Sequence, residues 1–424
     1  MRIAVYHELP SGGAKRTLYE TVKRLSPSHE IDMYTLEGAD GGYCDPRPFC
    51  AGYRVFPFHP PRLFRTPLGR LNQLQRWRGL LRLAGIARQS AAEVDSRGYD
   101  VVFAQPSMWS QAPLIMMYLR TPVLYYCQEA PRALYEPDPR ASRHGFSTRQ
   151  VIDRIDPLIR LYRATARHLD RRALRAARRV LVNSDFTRQV VKSIYGIDPI
   201  VCYHGVDASL FRPMPHIERQ PFVLSVGAVQ PRKGFDFLIE SLALIDPARR
   251  PDLLLVGNAE DSHERRYLQS LAALKGVGLR VEVGIGDTEL VRRYNQARLV
   301  VYAPHGEPFG LVPLEAMACA TPVIGVDEGG VRESVVSGVT GLLVERDKEQ
   351  FARAVIDLLQ EPRLLERYSR QGRQHVLANW TWDRAVERVE EQLTLIARQS
   401  EGTMRARRTM VTCQADSAWR GSSS

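Results

Sequence analysis

Short apolar runs, rich in β-branched residues, alternate along the chain with longer stretches of helical periodicity. Runs of this kind, separated by helices, are typical of strands buried in a parallel sheet. We therefore predict an α/β protein made of two doubly wound parallel sheets. The predicted strands are Ile3–Tyr6, Ile31–Thr35, Val101–Ala104, Val123–Tyr126 and Val180–Asn183 in the first half, and Phe222–Val226, Leu253–Val256, Arg280–Val283, Leu299–Tyr302, Pro322–Val326 and Gly341–Val344 in the second.

This pattern predicts two domains joined by a short linker. The proline-rich segment Arg212–Pro215 separates the two sets of strands, so we expect Rossmann-like domains over 1–212 and 213–380. Helical periodicity returns over 381–398 and predicts a further helix there. The polar segment 399–424 ends in Gly-Ser-Ser-Ser and is predicted to be disordered. A chain of 424 residues, 44% of them hydrophobic, is long enough to bury two such cores.

The net charge of +12 arises in the first half of the chain. Residues 1–212 contain 32 Lys and Arg against 19 Asp and Glu, whereas residues 213–424 contain 27 against 28. A basic excess suits nucleic acid, an anionic membrane surface or phosphorylated ligands. Because no helix-turn-helix, zinc or RNA-recognition motif accompanies it, we expect no nucleic acid partner.

Two Arg-dense segments, Arg62 to Arg88 and Arg160 to Arg179, stand out within that half. The first has seven Arg and no acidic residue, and Leu71, Leu74 and Leu81 recur in it at helical spacing. Two interpretations are open. Either the apolar stripe packs on the sheet while the Arg side chains are solvated, or the helix lies on an anionic membrane. The second segment also predicts a helix.

Neither the cysteines nor the histidines show a spacing that binds metal. The six cysteines are scattered without a Cys-x-x-Cys pair, which fits reduced thiols in the cytoplasm. The N-terminal apolar run is too short for a signal peptide, and no apolar run reaches the roughly 18 residues of a spanning helix. We therefore expect a metal-free cytoplasmic protein. Because the excess positive charge lies in the first half, we also predict peripheral attachment to an anionic membrane, at the inner face of the plasma membrane, through Arg62 to Arg88.

Two glutamates flank the turn that follows one predicted strand. Glu307 precedes Pro-Phe-Gly, which disfavours helix, and Glu315 lies in the helix that Pro313 can start. Loops at the carboxyl ends of parallel strands form the ligand crevice of such sheets, and helix N-termini attract anions. Eight residues of helix span about 12 Å. The two carboxylates therefore suit two hydroxyl-bearing ends of one elongated ligand.

The stretch from Glu307 to Ala318 resembles the E-x7-E signature of retaining glycosyltransferases with the GT-B fold, of the family 4 type. The resemblance extends to about Arg398. It implies two Rossmann-like domains that face a central cleft and a C-terminal helix that crosses back to the first domain. The other motifs that agree with it are Val226–Gly234, His204–Asp207, Ala316–Val323, Gly329–Val335 and Gly338–Leu343.

The resemblance assigns most of the donor site to the second domain. Arg232 and Lys233, which follow the turn at Gly227, match cations that bind the donor diphosphate and stabilise the leaving nucleotide. Glu315 matches the glutamate that holds the ribose, and Glu307 matches the one that contacts the donor sugar. Two cations at a strand end suit a diphosphate without a metal.

Backbone groups complete the site that the resemblance implies. The amides near Phe309, Gly310 and Leu311 match those that meet sugar hydroxyls or phosphate. Gly12 and Gly13 match a loop that closes on the donor phosphate and shapes the acceptor cleft. Taken alone, this Gly pair also fits a plain strand-to-helix turn.

Gln128 departs from the family pattern. It follows a predicted strand, at a position where many relatives carry a His that contacts the donor sugar. Glutamine can hydrogen bond but cannot exchange a proton. Gln128 is therefore a candidate catalytic residue whose identity suggests a changed donor or weakened activity. His204 is expected at the hinge between the domains rather than as a ligand.

The resemblance implies a retaining, metal-independent hexosyltransferase. Its donor substrate would be a nucleotide-diphosphate sugar, with UDP or GDP, and it would need no cofactor. Its acceptor would be a lipid-linked sugar or a glycan of polysaccharide or glycoconjugate biosynthesis. The same fold also serves sugar-nucleotide epimerases and phosphorylases. A non-catalytic donor-binding partner is the other alternative that stays open.

Overall fold

The computed structural model describes residues 1–39, 41–64, 71–130, 135 and 156–399. The first half forms a seven-stranded sheet whose neighbouring strands are all parallel. Its strands are β1 Arg2–Glu8, β2 Glu30–Leu36, β3 Gly52–Phe56, β4 Val101–Ser107, β5 Val123–Cys127, β6 Arg179–Val182 and β7 Ile200–Val201. The spatial order is β3-β2-β1-β4-β5-β6-β7.

Helices cover both faces of this sheet. They are α1 Gly13–Leu25, α2 Asn72–Ser96, α3 Pro157–Ala176 and α4 Asp185–Tyr195. Side chains of β1 alternate between two cores, because successive residues of a strand point to opposite faces. Ile3 and Val5 pack in a core with residues of α1, whereas Ala4 and Tyr6 pack in a core with residues of α2 and α3.

The second half forms a six-stranded parallel sheet in the order β10-β9-β8-β11-β12-β13. Its strands are β8 Gln220–Val226, β9 Asp252–Gly257, β10 Leu279–Val283, β11 Ala297–Tyr302, β12 Val323–Val326 and β13 Leu342–Val344. Its helices are α5 Phe235–Leu242, α6 Ser262–Lys275, α7 Asp287–Gln296, α8 Leu311–Ala318, α9 Val331–Ser334, α10 Lys348–Gln360 and α11 Pro362–Asn379. The prediction of two doubly wound parallel sheets is confirmed.

A last helix, α12 over 382–399, returns to the first domain. Its apolar side packs in the same core as Ile3 and Leu18 through Val386, Val389 and Leu393. Polar contacts between α12 and the first domain include Arg24–Asp383 at 2.6 Å, His29–Glu390 at 2.8 Å and Arg179–Gln392 at 2.8 Å.

The chain crosses from one domain to the other twice, near Gly205 and near Thr381, and these two crossings lie side by side. The Val206 amide donates to the Trp380 carbonyl at 2.8 Å, and a β-carbon on Gly205 would lie 2.4 Å from the Thr381 carbonyl carbon. Only glycine therefore fits at position 205. Val206 and Phe211, which precede the predicted linker, already pack in a core of the second sheet.

Some predicted elements differ from the structure. The sequence pattern missed β3, an edge strand with exposed side chains, and β7, which has only two residues. The second Arg-dense helix ends at Ala176, and Arg179 opens β6. Within Arg62 to Arg88, the helix begins at Asn72, and residues 65–70 lie outside the described part. The predicted disordered tail also lies outside it from residue 400 onward.

The apolar stripe of α2 does not pack as one of the two interpretations requires. Leu71, Leu74 and Leu81 are exposed, and Leu81 retains 74% of its accessible surface. The residues of α2 that pack in the core of the sheet include Leu83, Ala87, Ala91 and Val94. The packing interpretation is therefore wrong for these three leucines, whereas Trp77 of the same segment lies against Tyr162 of α3.

Candidate active site

The glutamate loop lies between β11 and α8, at the carboxyl edge of the second sheet. Gly310 immediately precedes α8 as its N-cap residue, with φ of 90°, a backbone conformation that favours glycine. Gly329 and Gly330 lie against the same loop. A β-carbon on Gly329 would be 2.5 Å from the Glu307 carbonyl oxygen, and one on Gly330 would be 2.3 Å from the Pro308 carbonyl oxygen. Glycines at these positions therefore allow the loop to sit where it does.

Lys233 and Glu307 form an ion pair at the switch point of the second sheet. The Lys233 Nζ donates to both Glu307 carboxylate oxygens, at 2.8 and 3.1 Å, and both side chains are partly exposed. Lys233 follows β8 and Glu307 follows β11, which are neighbours in the sheet although not in sequence. Ligands of such sheets bind where the strand order reverses in this way.

Two glycines position the turn that holds the cations. A β-carbon on Gly227 would lie 3.2 Å from the Lys233 Cδ, and one on Gly234 would lie 2.1 Å from the Ala303 carbonyl oxygen. Arg232 lies on the same short 3₁₀ turn, and its carbonyl accepts a hydrogen bond from the His305 amide at 2.8 Å. The turn is thus attached to the segment that leads to Glu307.

Glu315 lies on the buried side of α8, with 6% of its surface exposed. Its Oε2 accepts a hydrogen bond from the Tyr294 hydroxyl at 2.7 Å. Burial raises the pKa of Glu315, while the charge of Arg16 and the Tyr294 hydrogen bond act in the opposite direction. Burial also raises the pKa of Tyr302, and the charges of both Glu307 and Glu315 add to that effect. The charges of Glu307 and Glu315 therefore both reach the same buried side chain, Tyr302.

The loops of the two domains meet across the cleft. Gly12 has φ of 145°, and a β-carbon on Gly13 would lie 3.4 Å from the Leu311 Cδ1. The Asn258 side chain donates to the Ser11 hydroxyl at 3.3 Å. The predicted residues at the start of α1 and at the start of α8 are thus brought together.

Gln128 lies just past β5 in the first domain and is buried. Its Nε2 donates to the Gln105 Oε1 at 2.8 Å and to the Ala14 carbonyl at 3.4 Å, and its own carbonyl accepts from Asn183 at 2.9 Å. These partners all belong to the first domain. They fix the amide beside the start of α1.

Phe309 occupies the hinge as well as the loop. Its ring centroid lies 5.2 Å from that of His204 and 5.6 Å from that of Trp380. From the first domain, the Ser184 hydroxyl donates to the Pro308 carbonyl. The glutamate loop is therefore held by the first domain and by both crossings.

Three residues of the site were not predicted from the sequence as site residues: Arg16, Tyr43 and Asp287. The Arg16 guanidinium donates to both Asp287 carboxylate oxygens, at 2.5 and 3.1 Å, and its Nε donates to the Tyr43 hydroxyl at 3.1 Å. Arg16 follows the predicted loop residues Gly12 and Gly13 by three positions. Its partner lies 271 residues away, and no local pattern links the two.

Family models match nearly the whole described chain. "Glycosyltransferase Family 4" matches residues 11–210, and "Glycosyl transferases group 1" matches residues 208–375. The order of the two matches follows the order of the two sheets. The chain belongs to the GT4-type glycosyltransferases.

Curated relatives of this GT4-type chain include two enzymes named D-inositol 3-phosphate glycosyltransferase. The one from Thermomonospora curvata is 34% identical over 52% of this chain and 57% of its own length. The one from Geodermatophilus obscurus is 35% identical over 53% of this chain and 54% of its own length. The chain thus spans about half the length of the curated relatives that it matches.

Solved structures show that this GT4-type chain has the GT-B fold. Sucrose-phosphate synthase from Thermosynechococcus elongatus superposes with a TM-score of 0.68 at 23% identity, over 93% of this chain and 99% of that chain. HepE from Anabaena, in complex with UDP and glucose, superposes with a TM-score of 0.67 at 20% identity over the same shares. The predicted fold is therefore confirmed.

The described residues of this GT4-type chain include no group of three or more His, Cys, Asp or Glu side chains placed to bind a metal ion. In the same part of the chain, every helix is too short or too polar to cross a membrane. Metal independence stays a prediction.

Proposed function

We propose that this chain transfers a hexose-type sugar from a nucleotide-diphosphate sugar to an acceptor hydroxyl, with retention of the anomeric configuration. The observation that supports this best is the grouping of Lys233, Glu307 and Glu315 at the switch point of the second sheet. A cation for phosphate and two carboxylates for hydroxyl groups are the contacts that such a donor needs.

The ion pair supports a simple order of events. A donor diphosphate carries more negative charge than the Glu307 carboxylate, so it would attract Lys233 and Arg232 to itself. Glu307 is then able to accept hydrogen bonds from the donor sugar, while Glu315 accepts them from the ribose. Donor binding and the separation of Lys233 from Glu307 therefore occur together.

The transfer step follows from this arrangement. The bond from the anomeric carbon to the diphosphate oxygen breaks, and a bond from that carbon to the acceptor oxygen forms on the same face. The acceptor proton passes to the leaving diphosphate oxygen. Lys233 and Arg232 stabilise the charge that develops on the diphosphate, which is the main source of rate acceleration in such a site.

UDP is the nucleotide that we favour, and a phosphorylated or lipid-linked molecule is the acceptor that we favour. HepE binds UDP and glucose, and the curated relatives are named for a phosphorylated polyol. The excess positive charge of this chain lies in the first domain, which we assign to the acceptor. Anionic acceptors suit that distribution of charge.

Peripheral attachment to an anionic membrane fits the surface of the first domain. On α2, Leu74, Arg78 and Leu81 recur at helical spacing and are exposed. Helix α3 joins the same surface, because the ring centroids of Trp77 and Tyr162 are 6.3 Å apart. We call this surface the Arg-Leu face, which consists of the exposed residues Arg62, Leu63, Phe64, Leu71, Leu74, Arg76, Arg78, Leu81, Arg82, Arg160, Leu161 and Arg163.

Calorimetry with UDP, GDP and ADP tests the donor site. We expect the wild-type protein to bind at least one of them and Lys233→Ala to bind it roughly 10- to 100-fold more weakly, since a hydrogen bond to a charged group contributes about 1.5–3 kcal/mol. Glu315→Ala should also weaken binding, through the lost ribose contact.

Lys348→Ala is the matched control, because Lys348 of α10 forms an ion pair of similar length with Glu240 of α5, at 2.7 Å. It should bind as the wild type does. The proposal fails if no nucleotide binds, or if binding is the same in the wild type and in both donor-site variants.

A non-catalytic donor-binding protein is the second candidate, and Gln128 is the observation that favours it. Its amide is hydrogen bonded within the first domain and cannot exchange a proton. Donor binding without turnover over a broad panel of acceptors would support this candidate. An epimerase or phosphorylase would instead convert the donor without a carbohydrate or lipid acceptor hydroxyl.

A further inference from the structure

Arg16 reaches from the first turn of α1 into the second domain. Two of its nitrogens donate to the two Asp287 oxygens, at 2.5 and 3.1 Å, in the parallel geometry that a guanidinium and a carboxylate favour. Arg16 is 7% exposed, whereas the Asp287 side chain retains 37% of its surface. The pair therefore links α1 to the first residue of α7, with its arginine buried and its carboxylate still in contact with water.

The first domain and the linker hold the guanidinium in place from its other sides. Besides the hydrogen bond to Tyr43, it lies 5.5 Å from the centroid of the Tyr43 ring and 5.7 Å from that of Phe211. A buried arginine is costly unless it is paired, and removal of one partner leaves an uncompensated charge. Separation of the two domains would break this pair and expose Arg16 to water.

Arg16 also acts on the carboxylate that we assign to the ribose. Burial raises the pKa of Glu315, and the positive charge of Arg16 is the strongest influence that lowers it again. An ionised carboxylate accepts hydrogen bonds from both ribose hydroxyls, whereas a protonated one has lost part of that capacity. The charge of one residue of the acceptor domain therefore affects the donor site directly.

We propose that Arg16 is a positioning residue for the transfer reaction, which closes the cleft through Asp287. The effect of its charge on Glu315 rests on the proposed function, while closure stands without it. Closure matters for transfer because the cleft must exclude water, which would otherwise compete with the acceptor for the sugar. Donor binding and closure are then coupled through one side chain.

Several other groups influence the same carboxylate, and the experiment has to leave them in place. From the first domain, Arg16 and Tyr43 face Glu315. From the second domain, the titratable groups coupled to it are Asp287 and Tyr294 of α7, Tyr302 of β11 and Cys319 at the end of α8.

The test compares Arg16→Ala, Arg16→Lys and Asp287→Asn with the wild type. Arg188→Ala is the matched control, because Arg188 makes a bidentate pair with Asp198, at 2.7 and 2.9 Å, within the first domain. Small-angle X-ray scattering without ligand measures the radius of gyration, and calorimetry with UDP from pH 4 to 8 measures affinity and its pH midpoint. Thermal unfolding verifies that each variant is folded.

We expect Arg16→Ala to have a larger radius of gyration and to bind UDP about 5- to 150-fold more weakly, the usual range of coupling between two sites. As the pH is lowered, Arg16→Ala should lose affinity for UDP at a higher pH than the wild type does. The reason is that Glu315 no longer has the positive charge of Arg16, which lowers its pKa. Arg16→Lys should retain the pH midpoint but lose part of the closure, since lysine lacks the planar fork. Asp287→Asn should lose closure in the same way.

Equal radii and equal pH midpoints in Arg16→Ala and Arg188→Ala would overturn the inference. If Arg16→Ala does not fold, the radii of gyration of Arg16→Lys and Asp287→Asn decide it, and radii equal to that of Arg188→Ala would overturn closure. If the wild type binds no nucleotide, the proposed function fails instead, and the radius of gyration alone decides whether Arg16 closes the cleft.

Discussion

At the scale of single residues, the site is built from groups that satisfy one another before any ligand arrives. Lys233 is paired with Glu307, Arg16 with Asp287, and Glu315 accepts from Tyr294. Buried or half-buried charges without partners would cost several kcal/mol each. A ligand that brings its own phosphate and hydroxyl groups can replace these partners, so the pairs stabilise the cleft and can be exchanged for ligand contacts.

His204 is a buried histidine at the hinge between the domains. The Thr17 hydroxyl donates to the Gly13 carbonyl at 3.0 Å, so we assign the proton of His204 to Nδ1, which donates to the Thr17 oxygen at 2.9 Å. Among the described residues, the buried Nε2 has no partner. Burial lowers the pKa of His204 from 6.5 to about 3. The hinge therefore holds a neutral imidazole.

This assignment predicts acid sensitivity of the fold. Because the pKa is lower in the folded state, the unfolded chain binds more protons between pH 6.5 and 3, and the contribution to stability is lost as the pH falls through that window. From pH 7 to 4.5, the wild type should lose about 2–3 kcal/mol more unfolding free energy than His204→Gln. Urea unfolding at the two pH values measures this, and equal losses in both proteins would refute the assignment.

At the scale of elements, the sequence predicted most strands but not the whole of the site. Buried strands such as β1 and β8 have a strong apolar pattern, so they could be found without the structure. The edge strand β3 exposes most of its side chains and has no such pattern. The bond between Arg16 and Asp287 joins elements 271 residues apart. Only the folded arrangement of α1 and α7 brings them together.

Helix α2 shows how an element can have two apolar sides. Its periodicity predicted an amphipathic helix, but Leu83 and Ala87 face the core while Leu74 and Leu81 face the solvent. Exposed leucines beside arginines have a physical use at an anionic lipid surface, where apolar burial and charge attraction add. The element thus supports the membrane interpretation, which could not be separated from packing by sequence alone.

Liposome flotation tests the Arg-Leu face. We expect the wild type to float with vesicles of phosphatidylcholine and phosphatidylglycerol and to stay unbound with phosphatidylcholine alone. Leu74→Glu with Leu81→Glu should lower binding about tenfold or more, since burial of one leucine contributes about 1.5–3 kcal/mol. Leu274→Glu is the control, because Leu274 is 81% exposed on α6 of the second domain. Flotation that does not depend on anionic lipid would contradict the proposal.

At the scale of the whole molecule, two sheets of the same design face each other across one cleft. Charge is divided between them: the first domain is strongly basic, and the second is close to neutral, with a few cations at its switch point. Crossings near Gly205 and Thr381 and the return of α12 tie the domains together at one side. Closure from the other side depends on contacts such as Arg16 with Asp287.

The most direct measurement of the central claim is turnover of UDP-hexoses with an acceptor, followed by mass spectrometry of the product and NMR of its anomeric configuration. We predict that UDP is released only when an acceptor is present, that one hexose is added to it, and that the configuration of the donor is retained. Lys233→Ala and Glu315→Ala should lower this rate, whereas Lys348→Ala should not. Release of no nucleotide from any UDP- or GDP-hexose over a broad acceptor panel, or a product of inverted configuration, would contradict the account.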